Sequence, residues 1–136
     1  MKDTVLSLDH LVLSVTDMEQ TIAFYRDVLG MGVESFEATD GTTRTALTFG
    51  SQKINLHLAA APYAPHAARP TVGSADLCFL VSGDLGDWVS HIAAMGSALE
   101  EGPVRRTGAT GPIDSLYLRD PDGALTELSV PGGPLP

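Results

Sequence analysis

The sequence is short of several things, and each shortage narrows what the protein is. Cys78 is the only cysteine in 136 residues, so no intramolecular disulfide can form and nothing points to an oxidising compartment. Basic residues are scarce, 8 against 17 acidic ones, giving a formal net charge of -9. They do not cluster, so a phosphate backbone would be repelled and nucleic acid is not an expected partner. Aromatic residues make up 6% of the chain, which is thin for stacking flat ligands. No apolar run reaches the roughly 20 residues needed to span a bilayer. The segment MKDTVLSLDHLVLSV carries two aspartates where a signal peptide would need its apolar region. The expectation is a cytoplasmic protein with no membrane partner. The length, with 43% hydrophobic residues, suits one compact domain and is too short for two independent ones.

What is present is an internal repeat. Residues 8–15, LDHLVLSV, place Leu11, Leu13 and Val15 on one strand face and His10, Val12 and Ser14 on the other. Asp17 stands at an N-cap position with Gln20 three residues on, and Met18, Ile22, Tyr25 and Leu29 follow at helical spacing before Gly30. Then come GVESFEA, TRTALTFG and KINLHLA, separated by Asp40-Gly41 and Gly50-Ser51 turns, so the first half reads βαβββ. The second half repeats it. SADLCFLV (74–81) is a strand with Asp76 in the place of His10, and Asp84 caps a helix whose Leu85, Trp88, Val89 and Ile92 share one face before Gly96. Matched residues lie 66 (His10 to Asp76), 67 (Asp17 to Asp84) and 66 (Gly30 to Gly96) positions apart. The last strand, ALTELSV, aligns with KINLHLA at an offset of 70, which sets Glu127 opposite His57. The expected class is α+β in a single domain, with module 1 at about 5–59, an Ala- and Pro-rich linker at 60–73, module 2 at about 74–131, and a frayed PGGPLP tail.

Strand alternation puts His10 and His57 on the face opposite the leucines, and Asp76 and Glu127 on the equivalent face of module 2. Two imidazoles and two carboxylates form a nitrogen and oxygen donor set suited to Mn, Fe, Co, Ni or Zn. Taken singly, each residue has an ordinary alternative: a hydrogen-bonded strand histidine, a strand-end acceptor or a buried ion-pair partner. Together they would need four separate partners, where one metal ion suffices. Arg105 and Arg106, beside the glycines of RTGATG, are candidates to clamp an acidic group, or are solvated loop residues. No Gly-Lys-Ser/Thr follows, so the loop is not a P-loop. Lys53 and Asn55 share the His57 face and are candidate substrate contacts. Cys78 has no histidine placed to activate it, and His66 and His91 read as surface residues.

The motifs LDHLVLSV, FYRDVLGM, FGSQKINLH, GSADLCF and YLRDPDGALTEL resemble those of the vicinal oxygen chelate superfamily, which includes glyoxalase I, fosfomycin-resistance thiol transferases, extradiol dioxygenases and metal-free bleomycin-binding proteins. Within that superfamily the chain most resembles the glyoxalase domain-containing, virulence-associated group. The resemblance covers nearly the whole chain. It implies a curved sheet or half-barrel built from the two modules, a divalent metal ion, and a homodimer with sites between subunits. It also implies a lyase, isomerase or thiol transferase acting on a small oxygenated substrate chelated by the ion, with Glu127 as metal ligand and base and Asp76 as the weakest ligand. Departures matter. Bacterial glyoxalase I takes one histidine and one glutamate from each module, whereas both histidines here come from the first, and fosfomycin enzymes carry histidine in place of Asp76. The alternative is a metal-free binding or resistance protein of the bleomycin type.

Overall fold

The computed structural model describes residues 2–134; the last two residues of the expected frayed tail lie outside the described residues. The chain divides after Val72 into two units, each with its own sheet and helix. In the first, β1 (His10–Val15) leads into α1 (Met18–Ala23), which continues through a π-helical turn (Phe24–Val28). Then follow β2 (Gly32–Glu37), β3 (Thr43–Phe49) and β4 (Gln52–Leu58). The strand order is β1-β4-β3-β2, with β1 parallel to β4 and the other pairs antiparallel. The second unit repeats it with β5 (Asp76–Leu80), α2 (Leu85–Ala94), β6 (Leu99–Thr107), β7 (Pro112–Arg119) and β8 (Leu125–Pro131), in the order β5-β8-β7-β6. This is the α+β class with a βαβββ module in each half.

Local chemistry explains the elements. The Asp17 carboxylate accepts from the Gln20 amide at 2.9 Å and opens α1, while Asp84 accepts from the Gly86 amide at 2.7 Å and opens α2. Gly30 and Gly96 follow the helices at φ +79° and +75°, a conformation costly for any residue with a Cβ. The first strand is shorter than its alternation suggests. Leu8 is exposed, and its carbonyl is taken by the Gln52 side chain at 2.9 Å instead of a ladder partner.

One face of each sheet carries the core. Leu13, Val15, Leu47, Ile54 and Leu56 are buried in the first unit with Tyr25, and Leu116, Leu118 and Leu128 in the second with Ile92. Each fully buried aliphatic side chain contributes about 1.5–3 kcal/mol. The other face of each sheet is thereby left for chemistry.

Register on that second face corrects the sequence alignment. In the first unit His10 pairs Lys53, Val12 pairs Asn55 and Ser14 pairs His57. In the second, Asp76 pairs Leu125, Cys78 pairs Glu127 and Leu80 pairs Ser129. Counted from the matched starts His10 and Asp76, the counterpart of Glu127 is Asn55, and that of His57 is Ser129. The true offset in the last strand is therefore 72 (127 − 55), not 70. The additional residues sit where alternation gives no guide: in β6, which slips register between Leu99 and Val104, and in the Asp120–Gly123 turn.

Candidate ligand and metal site

Parallel pairing puts register partners side by side, and residues two positions further along are diagonal neighbours roughly 7–8 Å away. His10 and Asn55 form such a diagonal pair in the first unit, and Asp76 and Glu127 form the same pair in the second. His57 stands four residues beyond the level of His10, about 13 Å along the strand. It shares the face of His10 but not its neighbourhood.

His10 is exposed at the head of β1, and its Nδ1 lies 2.8 Å from the Asp9 carboxylate. A bond from Nδ1–H to Asp9 leaves Nε2 as the acceptor, the arrangement that orients a metal-ligating imidazole. Lys53 extends over the Phe36 ring, 4.2 Å from its centroid. The Oδ1 of Asn55 is buried with no hydrogen-bond partner among the described residues. An orphaned buried acceptor is rare and asks for a donor or a cation. His57 is buried, with the Tyr63 ring edge-on at 5.2 Å. The Arg44 guanidinium lies over Tyr63 at 3.9 Å and pairs with Asp40 at 2.9 Å. Burial holds the His57 imidazole below its ordinary pKa, and the charges of Arg44 and His66 add to the effect.

In the second unit a cavity of about 500 Å³ opens on the Glu127 face. Leu80, Ile113 and Ala109 form an apolar wall, and Arg106, Thr107, Thr110, Tyr117 and Glu127 are among its polar members. Glu127 is half-buried and anchored from below. The fully buried Ser115 donates to its Oε2 at 2.6 Å, and Ser129, also fully buried, reaches the same oxygen at 3.4 Å. The two serine oxygens are 2.7 Å apart, and the Cys78 sulfur lies 3.3 Å from Ser129. Both serine contacts fall on Oε2, so neither engages Oε1. Burial pushes the Cys78 thiol above its ordinary pKa, the Ser129 contact opposes this, and the nearby Glu127 carboxylate adds to it. The sulfur is a poor nucleophile in that state.

Asp76 is exposed at the head of β5. The two arginines of the RRTGATG segment part company. Arg105 pairs with Asp114 at 2.8 Å, and both lie on the helix-facing side of their strands. Arg106 lines the cavity and donates to the Tyr117 hydroxyl at 2.9 Å. Ser115, Ser129 and Tyr117 went unnoticed in the sequence, although alternation along DSLYL and ELSV already places them beside Glu127.

A divalent ion can be tested against these donors. Among the described residues, no three of His, Cys, Asp or Glu gather closely enough to share one ion. Each unit instead supplies one diagonal pair: imidazole with amide oxygen in the first, two carboxylates in the second. Those donors and the unpartnered Asn55 oxygen fit a hard or borderline divalent cation.

Comparison with known proteins gives the context. The profile of the Glyoxalase/Bleomycin resistance protein/Dioxygenase superfamily matches residues 7–128. Virulence protein STM3117 of Salmonella typhimurium is 53% identical over 122 residues, covering 90% of this chain and 82% of the relative. Its crystal structure superposes with a TM-score of 0.89 over 96% of this chain and all of that one. Glyoxalase domain-containing protein RDO1 of Mycosarcoma maydis is 51% identical over 126 residues, 93% of this chain and 69% of the relative. A more distant structure is that of a variant of the fosfomycin resistance protein FosX from Listeria monocytogenes, complexed with Mn(II) and a dihydroxypropylphosphonic acid. It is 18% identical over 95% of this chain and 93% of that one, with a TM-score of 0.64, and shows a likeness of fold alone.

Proposed function

Because the chain belongs to the Glyoxalase/Bleomycin resistance protein/Dioxygenase superfamily, we propose that it binds a small oxygenated molecule in the cavity of its second module and moves a proton on it with Glu127, in a lyase, isomerase or transferase reaction assisted by a divalent ion. One observation carries this reading. Glu127 presents a carboxylate to a cavity of about 500 Å³ while buried hydroxyls fix its Oε2. A general base needs that combination, one oxygen held and the other facing the reacting atom.

The donor pairs in this proposal are His10 with Asn55 in the first unit and Asp76 with Glu127 in the second. His57 is left out of this proposal because it stands four residues beyond the level of His10 and packs against Tyr63. When bound, the ion would polarise adjacent substrate oxygens as a Lewis acid. The rest falls to the chain's own side chains. Ser115 and Ser129 keep the Glu127 carboxylate in one rotamer, and Oε1 accepts the proton from the substrate and returns it. Leu80 and Ile113 line the apolar side of the cavity. A homodimer belongs to the same proposal and is read by light scattering.

The alternative, a metal-free binder of the bleomycin-resistance kind, is favoured by the apolar wall of the cavity, which suits a ligand held by burial alone. Metal content of untagged protein separates the two. Wild type and His57→Ala should retain a divalent ion after reconstitution and dialysis, and His10→Ala and Glu127→Gln should lose it. Equal trace metal in all four would leave the binder.

A further inference from the structure

The cavity contains a cation whose charge its neighbours satisfy poorly. Of the three arginines in the second unit, Arg105 lies 2.8 Å from Asp114, and Arg119 reaches both oxygens of Glu100 at 2.9 and 3.1 Å. Arg106, the one that lines the cavity, differs. Its shortest bond, 2.9 Å, goes to the neutral Tyr117 hydroxyl. A second goes to the Arg105 carbonyl at 3.1 Å, and its only carboxylate contact among the described residues is Glu101 at 3.4 Å. These three bonds leave two of the guanidinium's five N–H groups uncommitted. Thr107 and Thr110 stand beside it in the cavity wall, with Ala109 between them.

We infer that Arg106 is the anion-recognising residue of this cavity, and that the ligand is a small monocarboxylic acid with an apolar body. The inference rests on the proposed use of the Glu127 cavity. The guanidinium fork matches a carboxylate, and Tyr117 holds the fork in place through its hydroxyl. Charge argues for a single negative charge on the ligand. In the metal-free cavity one cation, already shared with Glu101, faces Glu127 as well, so without the ion a dianion such as a phosphate ester meets more repulsion than attraction. Leu80, Ile113 and Ala109 then offer the apolar body a wall to pack on. In a chain of net charge -9, an acid finds few other places to bind.

Calorimetry with octanoate, octanamide and octyl phosphate tests this on the full-length, metal-reconstituted protein. Wild type should bind octanoate about tenfold or more tightly than octanamide, and in the metal-free arm octyl phosphate should bind more weakly than octanoate. Arg106→Gln should erase the preference for the acid, and Arg106→Lys should keep part of it. Melting curves of both variants confirm that they fold. Glu127→Gln and metal removal serve as separate arms. A preference that survives both but vanishes in Arg106→Gln supports Arg106 even if the metal proposal fails. A preference that vanishes on metal removal but persists in Arg106→Gln assigns the carboxylate to the ion and overturns the inference. Equal binding of acid and amide, tighter binding of octyl phosphate than of octanoate by the metal-free protein, or no measurable binding of octanoate overturns it as well.

Discussion

The two modules carry different side chains at the same register positions, and the contrast separates scaffold from chemistry. Where the second module has Cys78, Glu127, Ser129 and Ser115, the first has Val12, Asn55, His57 and, one residue before Thr45 on β3, Arg44. In the second module two buried hydroxyls support a carboxylate that faces an open cavity. In the first, Tyr63 from the linker closes over His57 and is itself capped by Arg44. A duplicated sheet keeps its leucine-lined face in both copies because the helix needs it. The opposite face is free to differ: it lines an open cavity in one copy and carries a covered patch in the other.

The most severe way to break the contrast is to remove its carboxylate. Glu127→Gln keeps the shape and the Ser115 bond but removes the charge, and divalent-ion affinity should fall by about 100-fold or more, read by competition with a chromophoric chelator. The reverse exchange sharpens it. Asn55→Glu makes the first module resemble the second and should tighten the ion, since a charged donor replaces an amide at the matched position. Unchanged affinity in both variants would mean that the diagonal pairs are not donors.

Next in size is the support beneath Glu127. Ser115→Ala removes the 2.6 Å bond and leaves Oε2 with the longer Ser129 contact at 3.4 Å. Stability should drop by about 1–3 kcal/mol in urea unfolding, the usual cost of depriving a partly buried acceptor of its donor. Wild-type stability in this variant would show that water replaces the hydroxyl without loss.

Much of this was legible in the sequence, and the limits have physical causes. Capping residues and helix-stop glycines leave local signatures, so the repeat could be read from Asp17 and Asp84, Gly30 and Gly96. Strand faces follow from alternation, so the shared face of His10 and His57 could also be read. Register could not. A slip of two residues preserves the face, so aligning His57 with Glu127 satisfies alternation as well as aligning Asn55 does. Only the hydrogen-bonded pairing, set by a bulged β6 and a longer β7–β8 turn, decides between them. The arginines show the same limit. Arg105 and Arg106 are adjacent and chemically identical, and only the pairing places one against Asp114 and the other against the cavity.

The covered patch of the first module makes a pH prediction. His57 has a folded pKa below the ordinary value of 6.5, so the unfolded chain takes up its proton first as pH falls. Stability should therefore decline as pH drops through 6.5 and continue to decline until the folded imidazole protonates. His57→Asn should flatten that part of the profile, and Tyr63→Ala should raise the His57 pKa toward 6.5 in an NMR titration by admitting water. An unshifted His57 in Tyr63→Ala would locate the burial elsewhere.

The smallest effect expected separates the two arginines. Arg105 and Asp114 are each about one-third exposed, at 30% and 35%, so their ion pair is screened by solvent. Arg105→Ala should cost about 0–1 kcal/mol in urea unfolding and leave octanoate binding untouched. Arg106→Ala should do the opposite, changing stability little and removing the preference for the acid. If Arg105→Ala also weakened octanoate, the helix-facing side of β6 would be coupled to the cavity, and the division of the sheet into a core face and a chemical face would not hold.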